Sequence, residues 1–266
     1  MNSPNSKDDE IRPESLQEGP SVVIPPAPLY IYLPAFAALE DLSHQHLKLS
    51  NARAVNDPFE YAWKMDYPIS DDEKNRIIVE YKLEYAEKMS FISFSPLCDN
   101  GLMWAYYTEK HTGMCLGLDF SNWTGKETVT FEQVEYNGPC LIKNEPRTTE
   151  QNLTLIRNLF RSKQSIWAHE KEWRALVPKD DPKVETNSDG VPFLRIPPTF
   201  FDSIIFGSRC SLENMGRAML LCIKNGINPS FSRIAVDYAK SRLEVVSVSE
   251  KTRDECMTLA LLKGFS

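Results

Sequence analysis

Short apolar runs, each closed within a few residues by a proline, a glycine or a polar turn, set the strongest limit on how this chain folds. LYIYL at 29–33 stops at Pro34, FISFS at 91–95 stops at Pro96, and MCLGLDF begins directly after Gly113. Runs of this length, rich in aromatic and branched residues, predict strands, because core helices need ten residues or more. LKLSNA, TVTFEQVEY, EWRALV, SIIFGS, SRIAVDY and RLEVVSV continue the series. Helical patterns fall between them at irregular intervals: AFAALEDL, residues 71–89, GLMWAYYTEKHTG, roughly 150–165, and 211–225. Strands and helices mixed without regular β-α-β alternation predict an α+β domain, with a split, largely antiparallel sheet flanked by helices.

Local signals fix several helix ends. Ser70 and Glu73 in SDDE form a capping box, ahead of Ile77, Ile78, Tyr81 and Tyr85 on the inner side of an amphipathic helix. Asn100 caps the next helix and Gly113 closes it. Residues 1–28 carry prolines at 4, 13, 20, 25, 26 and 28 among acidic and small polar residues, a composition that buries too little to offset chain entropy. They are expected to be a disordered tail. The domain then runs over 29–248, and 249–266 forms a short C-terminal segment for which a helix is one reading.

Composition excludes some functions. With 266 residues, 42% of them hydrophobic, the chain can bury one substantial core. A net charge of -7 argues against coating nucleic acid non-specifically, since that binding rests on neutralising phosphates. No apolar run approaches the roughly 18 residues of a membrane span, and the N-terminus lacks a basic and apolar leader. A cytoplasmic protein is expected, and no membrane partner. The six cysteines are scattered without a C-x-x-C pair, so reduced, mostly buried thiols are expected rather than zinc or disulfides.

Four places could carry chemistry. Read as a strand, WAHEKEWRAL sends Glu170, Glu172 and Arg174 to one face and Trp173 and Ala175 to the other. Two carboxylates and a guanidinium then share a patch that is either a solvated face or the acid end of a site. Ser93 and Ser95 of FISFS share one strand face, to hold a ligand ring or to saturate a strand end. Trp104, Tyr107 and His111 recur at helical spacing, either as core or as a ligand wall. NDPFE, Asn56 to Glu60, reads as a turn. His44 and His46 could in principle ligate a metal with His111, His169 or Asp57, but no H-E-x-x-H spacing exists and no metal is expected. Serine-hydrolase elbows, phosphate loops and dinucleotide fingerprints are absent.

Taken in order, LYIYL, LKLSNARAVNDPFE, SFS, LMWAYYTEKHTGMCLGLDF, HEKEWR and IIFGS resemble an uncharacterised bacterial family, domain of unknown function 2971, over roughly residues 29–215. That resemblance implies a bacterial protein of a kind often encoded near mobile or anti-phage loci. A toxin or anti-phage effector is the corresponding role, with an antitoxin or other regulatory protein as partner. The order of an aromatic first strand, an S-x-S strand and a later E-x-E strand is also similar to that of ADP-ribosyltransferases. This similarity implies a fold of that type and NAD as substrate. Tyr30 or Tyr32 would meet the cofactor, Ser93 and Ser95 would frame the nicotinamide, and Trp104, Tyr107 and His111 would wall it. Glu172 would be the ribose-binding carboxylate with Glu170 its neighbour, and Arg174 would hold a phosphate or orient the pair. Tyrosine in place of arginine or histidine, and S-F-S in place of S-T-S, depart from that pattern. The acceptor would be a nucleic acid or a protein.

Two other classes remain open on sequence alone. A metal-dependent nuclease or hydrolase would use Glu170, Glu172, His111 and Asp57, with Arg157, Arg161 and Lys163 on phosphates. A non-enzymatic sensor or partner-binding protein would use the same residues as a polar network.

Overall fold

The computed structural model describes residues 25–265, except for scattered positions between 51 and 87 and for 124–128 and 143–148. Most of the tail read over 1–28 and nearly all of the helix read over 71–89 lie outside the described residues. In chain order the strands are β1 (Leu29–Leu33), β2 (His46–Lys48), β3 (Trp63–Met65), β4 (Met89–Phe94), β5 (Met114–Leu118), β6 (Thr130–Gln133) and β7 (Cys140–Ile142). They continue with β8 (Trp173–Pro178), β9 (Val184–Thr186), β10 (Pro192–Arg195), β11 (Phe201–Phe206), β12 (Ser230–Asp237) and β13 (Arg242–Ser247). The helices are α1 (Ala35–His44), α2 (Gly101–Tyr107), α3 (Thr149–Arg161), α4 (Leu212–Lys224) and α5 (Glu250–Leu262).

Two sheets dominate, one ordered β1-β5-β11-β12-β13 and the other β4-β8-β6. Their pairings are antiparallel apart from β11 with β12. A small sheet, β2-β10-β9, and a parallel pair, β3 with β7, complete the described strands. The mixed, largely antiparallel architecture expected from the sequence is therefore present. Pro34 ends β1 and opens α1, as its fixed φ and missing N–H favour. Asn100 accepts from Leu102 and Met103 N–H groups, and Ser211 accepts from Asn214 N–H. Both caps satisfy donors that a helix start leaves open.

The main core joins the faces of both sheets to α1, α4 and α5. Leu29, Leu116, Leu118 and Ile204 from the first sheet meet Ile92, Ala175 and Val177 from the second, with Leu42, Met215 and Cys256 from the helices. The C-terminal segment forms α5 and adds Cys256 to this core. α4 approaches α5 so closely that a Cβ at Gly216 would stand 2.0 Å from the Cys256 carbonyl oxygen. Gly117 serves a similar purpose in β5, where a Cβ would meet Ser203 Oγ at 2.2 Å and the Tyr30 ring at 3.0 Å. No helix among the described residues is long and apolar enough to cross a membrane.

Candidate functional site

Among the described residues the two main sheets meet through one backbone bridge. Tyr30 N–H donates to Ser95 O and Ser95 N–H to Tyr30 O, both at 2.8 Å, and on either side of this bridge β1 and β4 pair in different sheets. Beside the seam lies a cavity of about 340 Å³. Tyr30 and Tyr32 of β1, Ser93 of β4, and Met103 and Tyr107 of α2 line it, together with Asp41, Lys48, Lys163, Arg174 and the carboxylates of Glu60, Glu170 and Glu172.

Those charged groups form a buried network. Lys163 Nζ donates to Glu170 Oε2 at 2.6 Å and to Glu172 Oε2 at 2.8 Å, and stands 4.0 Å from Glu60. Arg174 Nε donates to Glu172 Oε1 at 2.7 Å, and its other nitrogens reach Glu60 and the Phe160 carbonyl. Ser93 Oγ donates to Glu172 Oε1 and Tyr107 OH to Glu170 Oε1, each at 2.6 Å. Charges taken this far from water persist only when paired and hydrogen-bonded, and here each has at least two partners.

The local path of the chain explains how Glu170 arrives there. Residues Ser165–Glu170 form a 3-10 turn and Lys171 adopts a left-handed φ of 46°, so β8 begins only at Trp173. The strand read through WAHEKEWRAL is therefore a turn followed by a strand, yet Glu170, Glu172 and Arg174 still converge. Ser95 Oγ donates to the Glu170 carbonyl and Asn100 Nδ2 to the His169 carbonyl, both at 2.6 Å, which pins the turn against β4 and α2. Trp173 packs into the main core on the other side, as its position in the pattern predicts.

The electrostatics divide the carboxylates. Burial alone would raise Glu172, but Arg174 and then Lys163 outweigh it and pull the carboxyl down to about 2. Glu60 shares Arg174 but is left above its ordinary value, because burial there exceeds the help from Arg174 and Lys163. Two acids on one guanidinium are thus pushed apart, with the permanent charge on Glu172. Burial opposes the charge on Lys163, yet Glu172, Glu170 and Glu60 together hold it above the usual lysine value. Across the cavity, burial raises the Asp41 carboxyl to about 8.

The structure distributes the remaining expected site residues unevenly. Tyr32 donates its hydroxyl to the Leu97 carbonyl at 2.8 Å, and burial raises both Tyr30 and Tyr32. Ser95 is fully buried and holds backbone, off the cavity wall. Trp104 is also fully buried, with Nε1 on the Cys98 carbonyl and its ring against the edge of Tyr32 at 5.3 Å. His111 lies beyond it, stacked on Trp104 at 6.3 Å with a left-handed φ of 71°. Of the aromatic stripe, Tyr107 alone reaches the cavity. Arg174 has no nitrogen left for a phosphate, since all three are occupied by Glu172, Phe160 and Glu60.

The basic residues named for the metal-dependent alternative have acidic partners. Arg157 is paired with Glu132 and Arg161 with Glu135, while Lys163 puts an ammonium between the carboxylates a cation would need. Asp57 accepts from Phe59 N–H at 2.9 Å, the turn role read for NDPFE. Lys163 and Glu60 are the site residues that sequence reading did not place together. Lys163 stood seven residues before Glu170, and Glu60 closed the NDPFE block; only tertiary burial joins them.

Residues 103–175 match the family model described as Protein of unknown function (DUF2971), which bears out over that segment the resemblance read from the ordered blocks. The matched segment takes in Tyr107, Lys163, Glu170 and Glu172 and ends one residue past Arg174. No curated protein and no solved structure matches the chain.

Proposed function

We propose that the cavity at the seam binds NAD and that the protein transfers ADP-ribose from it to an acceptor protein or nucleic acid. One observation carries the reading: β1 and β4 part at Tyr30 and Ser95, and the space beside them is lined by Tyr30, Tyr32, Ser93, Glu170 and Glu172. A cavity of about 340 Å³ suits a ring and a sugar, with the rest of a dinucleotide outside. Lys48, exposed and on the cavity wall, is the cation placed to meet a phosphate there.

The chemistry asks little of acids and bases. The bond between ribose C1′ and the nicotinamide nitrogen breaks with its electron pair going to the ring, so a cationic ring leaves neutral and needs no proton. Positive charge develops on the ribose, and a carboxylate that stays ionised stabilises it. Glu172, held down by Arg174 and Lys163, keeps its charge across the physiological range. Ser93 holds Oε1 of that carboxylate, and Tyr107 and Lys163 hold Glu170. An acceptor oxygen or nitrogen then bonds to C1′ and gives its proton to solvent.

A second reading rests on the same hydrogen bonds. Both oxygens of Glu172 are already occupied, by Ser93 and Arg174 on one and by Lys163 and Arg174 on the other. On that reading the network fixes the seam and the cavity binds NAD without turnover. Incubating the protein with NAD, with and without cell extract, and measuring free nicotinamide separates the two. Release above the no-protein control supports transfer or hydrolysis, whereas saturable binding without release supports capture. Neither binding nor release would overturn the NAD reading.

A further inference from the structure

α1 ends in an arrangement that the cavity chemistry does not use. Glu40 and His44 lie four residues apart, on one face of its last turns, with His44 Nδ1 3.9 Å from Glu40 Oε1. Gln45 then takes a left-handed conformation, φ 54°, which reverses the chain so that His46, the first residue of β2, stacks its ring on His44 with centroids 5.1 Å apart. A non-glycine residue in that conformation is a cost the fold retains. One ligand atom from each of Glu40, His44 and His46 lies within 4.8 Å of the others. The sequence suggested His111, His169 or Asp57 as companions of the histidine pair; among the described residues Glu40 takes that place.

We propose that Glu40, His44 and His46 bind a first-row divalent transition-metal ion of the zinc class. Two imidazoles and one carboxylate suit such an ion, whereas calcium and magnesium prefer oxygen throughout. A helix C-terminus carries partial negative charge, so a cation there also gains from the helix dipole. His46 adds an independent observation. It is 9% exposed, and its Nε2 is buried with no hydrogen-bond partner among the described residues. Asp41 Oδ1 stands 3.7 Å from that nitrogen, where an outer-shell carboxylate would lie with the other ring nitrogen, Nδ1, on the ion. Phe193 stacks on the His46 ring at 4.1 Å and fixes its plane. His44 and Glu40 are exposed and can swing inward to close the distance. Arg195, opposite His46 in the sheet, is paired with Glu185 at 2.8 Å and so does not occupy the Glu40 carboxylate. Three protein ligands leave a position for water.

The test uses the full chain, reduced and free of chelator, titrated with Co²⁺ and then with Zn²⁺. One Co²⁺ per chain should bind with visible ligand-field absorption and without a thiolate charge-transfer band, and Zn²⁺ should displace it. Zn²⁺ should also raise the melting temperature by mass action on the folded state. His44→Ala and Glu40→Gln, both on exposed positions, should each weaken binding about tenfold or more and abolish the thermal shift, with unchanged circular dichroism. His169→Ala should leave both readouts intact. Absence of one-to-one binding, a thiolate band, or binding that persists in His44→Ala overturns the proposal. NAD is absent from every arm, so the outcome is independent of the cavity's activity.

Discussion

The Ser93 hydroxyl donates to Glu172 Oε1 at 2.6 Å, joining residues 79 positions apart in the chain. Ser93 is exposed toward the cavity while Glu172 is buried, so the hydroxyl is an exposed edge of the ion-pair network on the cavity wall. Ser93→Ala removes that contact and leaves Arg174 and Lys163 on the carboxylate. Stability should fall by only about 0.5–1.5 kcal/mol in urea unfolding. Nicotinamide release should fall much further, by about tenfold or more, if the hydroxyl aims Glu172 at the ribose. Equal losses in both would make Ser93 merely structural.

Glu172→Gln should damage folding as well as activity. From the alternation alone, Glu172 reads as a side chain whose charge is dispensable to the fold; its burial between Arg174 and Lys163 reverses that. Removing one carboxylate leaves two buried cations short of a partner, a loss of about 3–5 kcal/mol. The pH dependence has a definite sign. The folded-state value of about 2 lies below the ordinary 4.5, so the contribution is complete above roughly pH 4.5 and is lost as pH falls toward 2. Denaturant melts between these limits should converge for wild type and Glu172→Gln. A constant gap would remove Glu172 as the source.

Tyr107→Phe and Trp173→Ala should separate site from core. The first deletes a hydroxyl that donates to Glu170 at 2.6 Å and keeps the ring, with an expected cost of about 1.5–3 kcal/mol and reduced NAD binding or turnover. Trp173 is 9% exposed in the main core, and its truncation should cost about 3–5 kcal/mol while the folded fraction keeps its activity. Assays below each variant's melting point, scaled to folded protein, make the comparison.

Gly117→Ala tests how the cavity wall is supported from behind. The new methyl would collide with Ser203 Oγ and press on Tyr30. The variant should melt lower than wild type and bind NAD more weakly, because the Tyr30 ring must shift. Ser203→Ala in the Gly117→Ala background should recover part of the melting temperature by removing the nearest clash.

Much of the fold was legible because its elements carry local punctuation. Pro34, Asn100 and Ser211 mark ends through backbone chemistry that any context preserves, whereas Gly113, read as closing the helix that Asn100 caps, does not: α2 ends at Tyr107, and left-handed residues at 109–111 carry the chain on to β5. β9 and β10 escaped because VET and PFLR are too short and too close to turn residues to show a period. The segment 167–176 misled in geometry and succeeded in outcome. Spacing by two mimics a strand, but the turn at Ser165–Glu170 and the left-handed Lys171 deliver the same three charges to one place. Lys163 was hidden for a different reason: a lysine at a helix end normally reads as solvated, and only the three acids folded around it show otherwise. Trp104 and His111 were grouped with Tyr107 by helical spacing, but spacing does not tell which edge of a helix face borders a cavity, and His111 lies beyond the end of α2 altogether.

The paired hydrogen bonds between Tyr30 and Ser95 give the molecule a fulcrum. β1 is fastened at that point to the residue just past β4, and the core that joins the two sheets packs behind it. A ligand wider than the cavity beside it would act like a wedge, and the strain would be carried into the packing of Leu116 and Ile204 on one side and Ala175 and Val177 on the other. Substitutions in that shared core, at Leu116, Ile204 or Val177, would therefore reach the opening through the packing behind it rather than through a residue on its rim.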